Sequence, residues 1–82
     1  MENQEVRRIN TITPEEILDK CPGPIISRRK AAELTGGLMG ERHLANLDSA
    51  GIGPARRVKI GKRAGYESES FAEWLASRIE AK

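Results

Sequence analysis

A small α+β domain is predicted: two short helices joined by a glycine turn, then a basic two-stranded hairpin, then a C-terminal helix. Three observations predict it. Residues 27–49 carry two helical segments split by Gly36-Gly37. Val58 and Ile60 alternate with Lys59, and Ala64 and Tyr66 with Gly65, on either side of a Gly61-Lys62-Arg63 turn, and a period of two marks strands. Phe71, Trp74, Leu75 and Ile79 recur at helical spacing near the end. Helix, turn, helix and hairpin in that order are the parts of a winged helix-turn-helix, with the hairpin as the wing.

Residues 1–12 are polar apart from a few apolar anchors such as Val6 and Ile9, so they are expected to form a flexible N-terminal arm. Residues 13–82 are expected to be a single domain, because a chain of 82 residues holds one small core and no more. The domain opens on Thr13-Pro14-Glu15-Glu16. Thr13 is a cap, Pro14 fits the first turn without losing a hydrogen bond, and Glu16 stands at the capping-box position. Ile17 and Leu18 supply the apolar side of this first helix, and Cys21-Pro22-Gly23-Pro24 stops it.

Ile25 and Ile26 lead to Ser27, an N-cap for a helix over residues 28–35 in which Ile26 staples against Ala31. Gly36-Gly37 ends that helix, since glycine enters the left-handed region without a Cβ penalty. The next helix is expected over Glu41–Ser49, with Leu44 and Leu47 on its inner side, until Gly51-Ile52-Gly53-Pro54 breaks it. After the hairpin, Ser68 or Ser70 begins the last helix, with Ser70 and Glu73 at capping-box spacing.

The net charge of +2 hides a polarity. Residues 28–63 hold nine Lys or Arg against three acids (Glu33, Glu41 and Asp48), a balance of +6, which leaves −4 for the flanks. A basic middle between acidic ends favours a polyanion on one face. The lone Cys21 forms no intramolecular disulfide and suits a reducing, cytoplasmic compartment. No apolar run approaches the roughly 20 residues that span a bilayer, and the first residues lack the pattern of a secretory signal, so no membrane partner is expected.

Two helices joined by a short glycine turn cross steeply, and the outer face of the second projects from the domain. With Leu44 and Leu47 inward, a rotation of about 100° per residue turns Arg42, Ala45, Asn46 and Ser49 outward and leaves His43 on the flank. Arg grips guanine through two acceptors, and Asn matches the donor and acceptor of adenine. Arg42, His43, Asn46 and Ser49 are therefore the candidate base readers, with Glu41 and Asp48 as negative charges on the same helix. Arg56, Arg57, Lys59, Lys62 and Arg63 crowd the hairpin. Lys59, Lys62 and Arg63, with Arg28 and Arg29 at the start of the earlier helix, are the candidate phosphate contacts. Cations at a helix N-terminus cost from a few tenths to about 1 kcal/mol, which a phosphate offsets.

Other chemistry finds no support. Gly36-Gly37 and Gly40 lack the Lys-Ser or Lys-Thr of a phosphate loop. One Cys and one His cannot supply a structural zinc site of four nitrogen and sulfur ligands. Cys21, His43 and Asp48 have no spacing that marks a catalytic triad. No catalytic residue, metal or cofactor is expected.

The order Ile26-Ser27-Arg28-Arg29-Lys30-Ala31-Ala32-Glu33-Leu34, then Leu44, Gly53-Pro54, Val58-Lys59-Ile60-Gly61-Lys62-Arg63, Tyr66 and Trp74-Leu75 resembles the MerR-like winged-helix domains of the excisionase and AlpA type. The resemblance covers residues 25–78. It implies a small DNA-binding protein of a prophage or other integrating element, acting as a recombination directionality factor or in transcription regulation. It also implies double-stranded DNA as the ligand, with an integrase and further copies of the chain bound cooperatively as candidate partners. Glu41–Ser49 would be the recognition helix and residues 61–64 the wing. The competing expectation is an interaction module that docks onto a recombinase or phage assembly partner, with Glu69, Glu73 and Glu80 as a polar rim.

Overall fold

Helix α1, Pro14–Asp19, begins where its capping sequence predicts. In the computed structural model, which describes residues 12–79, the Glu16 amide donates to Thr13 Oγ1 at 3.2 Å and the Thr13 amide to Glu16 Oε1 at 2.9 Å. The expected arm lies outside the described residues except for Ile12. Ile17 turns into the core, whereas Leu18 remains 38% exposed and is not part of it.

Ile25 and Ile26 do more than lead into a cap: Ile25–Ser27 forms strand β1. It pairs antiparallel with a strand some 40 residues away in sequence, placing Ile26 opposite Tyr66 and Ser27 opposite Gly65. Ser27 also caps α2, Arg28–Leu34, accepting from the Lys30 amide at 3.0 Å. Gly36 and Gly37 then take φ of 71° and 88°, the left-handed conformation that ends a helix. The turn is held by Thr35, whose hydroxyl donates to the Ala32 carbonyl at 2.7 Å and accepts from the Met39 amide at 3.0 Å. Helix α3 spans Glu41–Ser49, the expected bounds, with Leu44 and Leu47 buried. Burial of a leucine contributes about 1.5–3 kcal/mol, which fixes which face of α3 looks inward.

Strands β2, Arg57–Ile60, and β3, Arg63–Glu67, form the expected hairpin. Ile60 pairs with Arg63, so the connecting loop is Gly61-Lys62, one residue shorter than residues 61–63. Gly61 has φ of 61°, as the primed two-residue turns require at their first central position. Since β1 also pairs with β3, the sheet is three-stranded in the order β1-β3-β2, not two-stranded.

The last helix, α4, spans Ser68–Arg78. Its N-cap is Glu67, without a side-chain cap, and the expected Ser70–Glu73 box does not form. Ser70 lies inside the first turn, and its hydroxyl accepts the Arg56 amide at 3.0 Å. The Ser68 hydroxyl donates to the Gly23 carbonyl, and the Ser68 amide donates to the Pro24 carbonyl at 2.8 Å. Trp74 donates from Nε1 to the Ile52 carbonyl at 2.9 Å, tying the α3–β2 connection to α4.

Over the described residues the outcome is a small α+β fold of four helices and a three-stranded antiparallel sheet. Helix α1 packs on α4 and α2 on α3. Between them lies one core containing Ile17, Ile26, Ala31, Leu44, Tyr66, Phe71, Ala72 and Leu75. Among the described residues no helix is long and apolar enough to cross a membrane.

Candidate nucleic-acid interface

On α3 the inward group is Leu44, Leu47 and Asp48, and Arg42, His43, Asn46 and Ser49 are all exposed. At about 100° per residue, Arg42, Asn46 and Ser49 fall within about 60° of one another on the side opposite Leu44. They make one outward ridge, with His43 on its flank. Glu41 occupies the first turn, where a carboxylate complements the helix dipole.

The register of the hairpin decides which of its cations share that side. Residues directly opposite in an antiparallel pair project to the same face. Arg57 opposes Tyr66 and Lys59 opposes Ala64. The Tyr66 hydroxyl reaches Asp48 of α3 at 2.8 Å and α2 packs on β3, so this is the face on which the α2–α3 pair lies. Arg57 and Lys59 therefore project along the free edge of β2 on the α3 side, and Val58, Ile60 and Arg63, which opposes Ile60, project to the other side. Arg57 was not among the expected contacts; its alternation with Val58 and Lys59 was the signal for it.

Two open concavities show that hairpin and helix run side by side. At one end Arg29, Glu41, Arg63 and Ala64 line the same depression as Ser27 and Arg28. At the other, Asp48 and Arg57 share a depression with Gly53 and Pro54. Arg29, Arg57, Lys59, Lys62 and Arg63 are exposed, and none forms an ion pair among the described residues. Lys30 and Arg56, by contrast, pair with Glu33 at 3.5 Å and Glu67 at 3.2 Å.

No protein-family model matches the chain, and no curated protein or solved structure is significantly similar to it. The arrangement of its own residues is what carries a functional reading.

Arg28 departs from the expectation of a phosphate contact. Its Nη2 donates to Asp48 Oδ2 at 2.6 Å and its Nε to the Tyr66 hydroxyl at 3.3 Å, with the guanidinium 5.9 Å from the Tyr66 ring centroid. The Asp48 side chain is only 2% exposed and that of Arg28 23%. Asp48 is thus not a surface charge on the outward ridge, since its carboxylate is turned inward and paired. Its position four residues after Leu44, on the same helical face, was the signal. The pair and Tyr66 join α2, α3 and β3 through one oxygen. Asp48 Oδ1 is buried with no hydrogen-bond partner among the described residues, and a Cβ at Gly53 would overlap it. Glycine at that position lets the connection after α3 close over the carboxylate.

Burial raises the Tyr66 phenol above its ordinary value of 10.0, and the hydrogen bond to Asp48 raises it further, against an opposing effect of Arg28. The folded value lies above the unfolded one, so the stability contributed by this proton is complete below pH 10 and is lost as pH rises through the folded value. The chain has a single tyrosine, so phenolate absorbance in an alkaline titration reads Tyr66 alone. The midpoint is expected above 10.0 in the folded protein and at about 10 in denaturant. Equal midpoints would contradict the buried network.

Proposed function

We propose that the chain is a sequence-specific double-stranded DNA-binding protein without enzymatic activity, an excisionase-like factor or transcriptional regulator. In this reading α2, α3 and the hairpin act as a winged helix-turn-helix of the MerR-like kind. Helix α3 enters the major groove, where Arg42, His43, Asn46 and Ser49 meet base edges. Arg29, Arg57, Lys59 and Lys62 contact phosphates, Arg28 holds α3 in position through Asp48, and Arg63, an expected contact, projects to the other face of the sheet.

One observation carries the reading. The outward ridge of Arg42, Asn46 and Ser49 stands beside exposed cations of the hairpin that form no ion pair among the described residues. A neutral or basic target would leave those charges unmatched, whereas a duplex presents phosphates on both sides of the groove that the ridge enters.

The test is a fluorescence-anisotropy titration on a site selected from random duplexes, with every single base-pair change of that site. Asn46→Ala is expected to lose about 1–3 kcal/mol of discrimination at one base pair. Changing Lys62 and Arg63 together to Ala is expected to weaken all sequences alike. The same uniform loss from both changes would contradict the division of roles, and failure of selection to enrich any site would sink the reading.

A second reading, a module that docks onto a recombinase or phage assembly partner, draws on a different observation. Leu38 is 91% exposed at an apolar groove formed with Leu34, Met39, Leu75 and Ile79. Of the acidic rim expected for that role, Glu69 and Glu73 are exposed, and Glu80 lies outside the described residues. Partner capture that survives nuclease but is lost on Leu38→Asp would favour this reading.

A further inference from the structure

The face of the sheet turned away from the helices is apolar. Its membership follows from the register: Ile25 opposes Glu67, Val58 opposes Gly65 and Ile60 opposes Arg63. These side chains project opposite to the buried Ile26 and Tyr66. Ile60 is 70% exposed and Ile25 45%. Gly65 contributes no side chain at the centre, which leaves a shallow groove between Ile25, Val58 and Ile60. The groove continues past Ile25 and Val58 to Leu18 and Pro24. It is charged differently at its two ends, with Glu67 and Glu69 at one and Arg63 at the other.

We propose that a second copy of this chain covers this groove, as a closed two-fold pair of sheets packed face to face. The charge at the ends selects that occupant. A two-fold axis lying between the sheets and across the groove sets the acidic end of each copy over the basic end of the other, while the isoleucines and Val58 meet in the middle. Each copy is thereby self-complementary in both charge and polarity. A polyanion would meet Glu69 and be repelled there, Glu67 being paired with Arg56 at 3.2 Å. Pairing through strand edges is disfavoured, because Arg57 and Lys59 guard the β2 edge with like charges and β1 offers only three residues.

The dimer does not depend on the DNA reading, but it gives that reading a geometry. Helix α3 lies on the opposite side of the sheet, held there through α2 and the Tyr66–Asp48 bond. Two copies joined through the groove face hold their α3 helices on the two outer sides of the assembly. Such a pair joins two separate duplex segments instead of filling adjacent half-sites on one.

The test is sedimentation equilibrium of the full chain, without DNA, over a concentration series at low salt. A reversible monomer–dimer equilibrium is expected, and Ile60→Glu is expected to weaken it at least about tenfold. Glu69→Lys and Arg63→Glu are each expected to weaken it, and the two together to restore it. Circular dichroism and thermal unfolding establish that each variant is folded, which the exposure of all three positions favours. A monomer throughout the series would overturn the proposal. So would an unchanged dimer in Ile60→Glu, failure of the double exchange to recover association, or assemblies that grow past two copies. DNA binding by a strictly monomeric chain would overturn the dimer while leaving the DNA reading intact.

Discussion

Asp48→Ala is expected to destabilise the protein by about 3 kcal/mol, the lower end of the cost of breaking a buried ion pair. In a domain of this size that lowers Tm by about 12–24 °C. The carboxylate accepts from Arg28 at 2.6 Å and from Tyr66 at 2.8 Å on one oxygen. Its removal leaves a guanidinium and a phenol facing a void between three elements. The lower end applies because the Arg28 side chain keeps 23% of its surface exposed and recovers some hydration when its partner is lost. Replacing both ends together, as Arg28→Met with Asp48→Leu, is expected to cost less than Asp48→Ala alone, since no charge is then orphaned. Urea unfolding of the two variants beside the unchanged protein checks this. A loss under about 1 kcal/mol in Asp48→Ala would mean that the pair behaves like an exposed one.

Raising salt from 50 to 200 mM is expected to weaken DNA binding by about 150-fold. The figure follows from counterion release, which gives a log-log slope of about −0.9 for each phosphate neutralised. Arg29, Arg57, Lys59 and Lys62 provide four such contacts, and the slope is then about −3.6. Arg28 is left out of the count because its guanidinium is already bonded to Asp48 and Tyr66. Lys62→Ala is expected to reduce the slope by about 0.9, and Arg28→Lys to leave it unchanged while lowering stability. Anisotropy titrations at several salt concentrations measure both quantities. A slope near zero would remove the phosphate contacts from the proposed interface.

The parts of the fold that were legible in the sequence are those fixed by neighbours. Thr13 and Glu16 lie three residues apart and cap α1 from within one turn. Leu44 and Leu47 set the rotation of α3, and Gly61 sets the turn of the hairpin. Strand β1 was not legible because its three residues are too few to display alternation, and Ser27 is also a good cap. Its pairing partner, β3, lies about 40 residues downstream and leaves no local trace.

The same distance in sequence hid the role of Asp48. Acids are rarely buried unless paired, and its partners stand 20 residues before it and 18 after it. Of the candidate site, the outward ridge followed from helical geometry alone. The choice among the cations did not, because it depends on which of them the fold neutralises: Arg28 is spent inside, and Arg57 is left outside.

The convergence of Arg28, Asp48 and Tyr66 on a single oxygen also bears on how portable the helix pair is. Residues 27–50 look like a cassette that would transplant onto another scaffold with its outward ridge intact. Cut from its host, that cassette would carry Arg28 and Asp48 but not the phenol that completes their coordination, nor the glycine that seals them. Its crossing angle would lose its third anchor, so the unit that evolution or an engineer can exchange is the whole segment from β1 through β3.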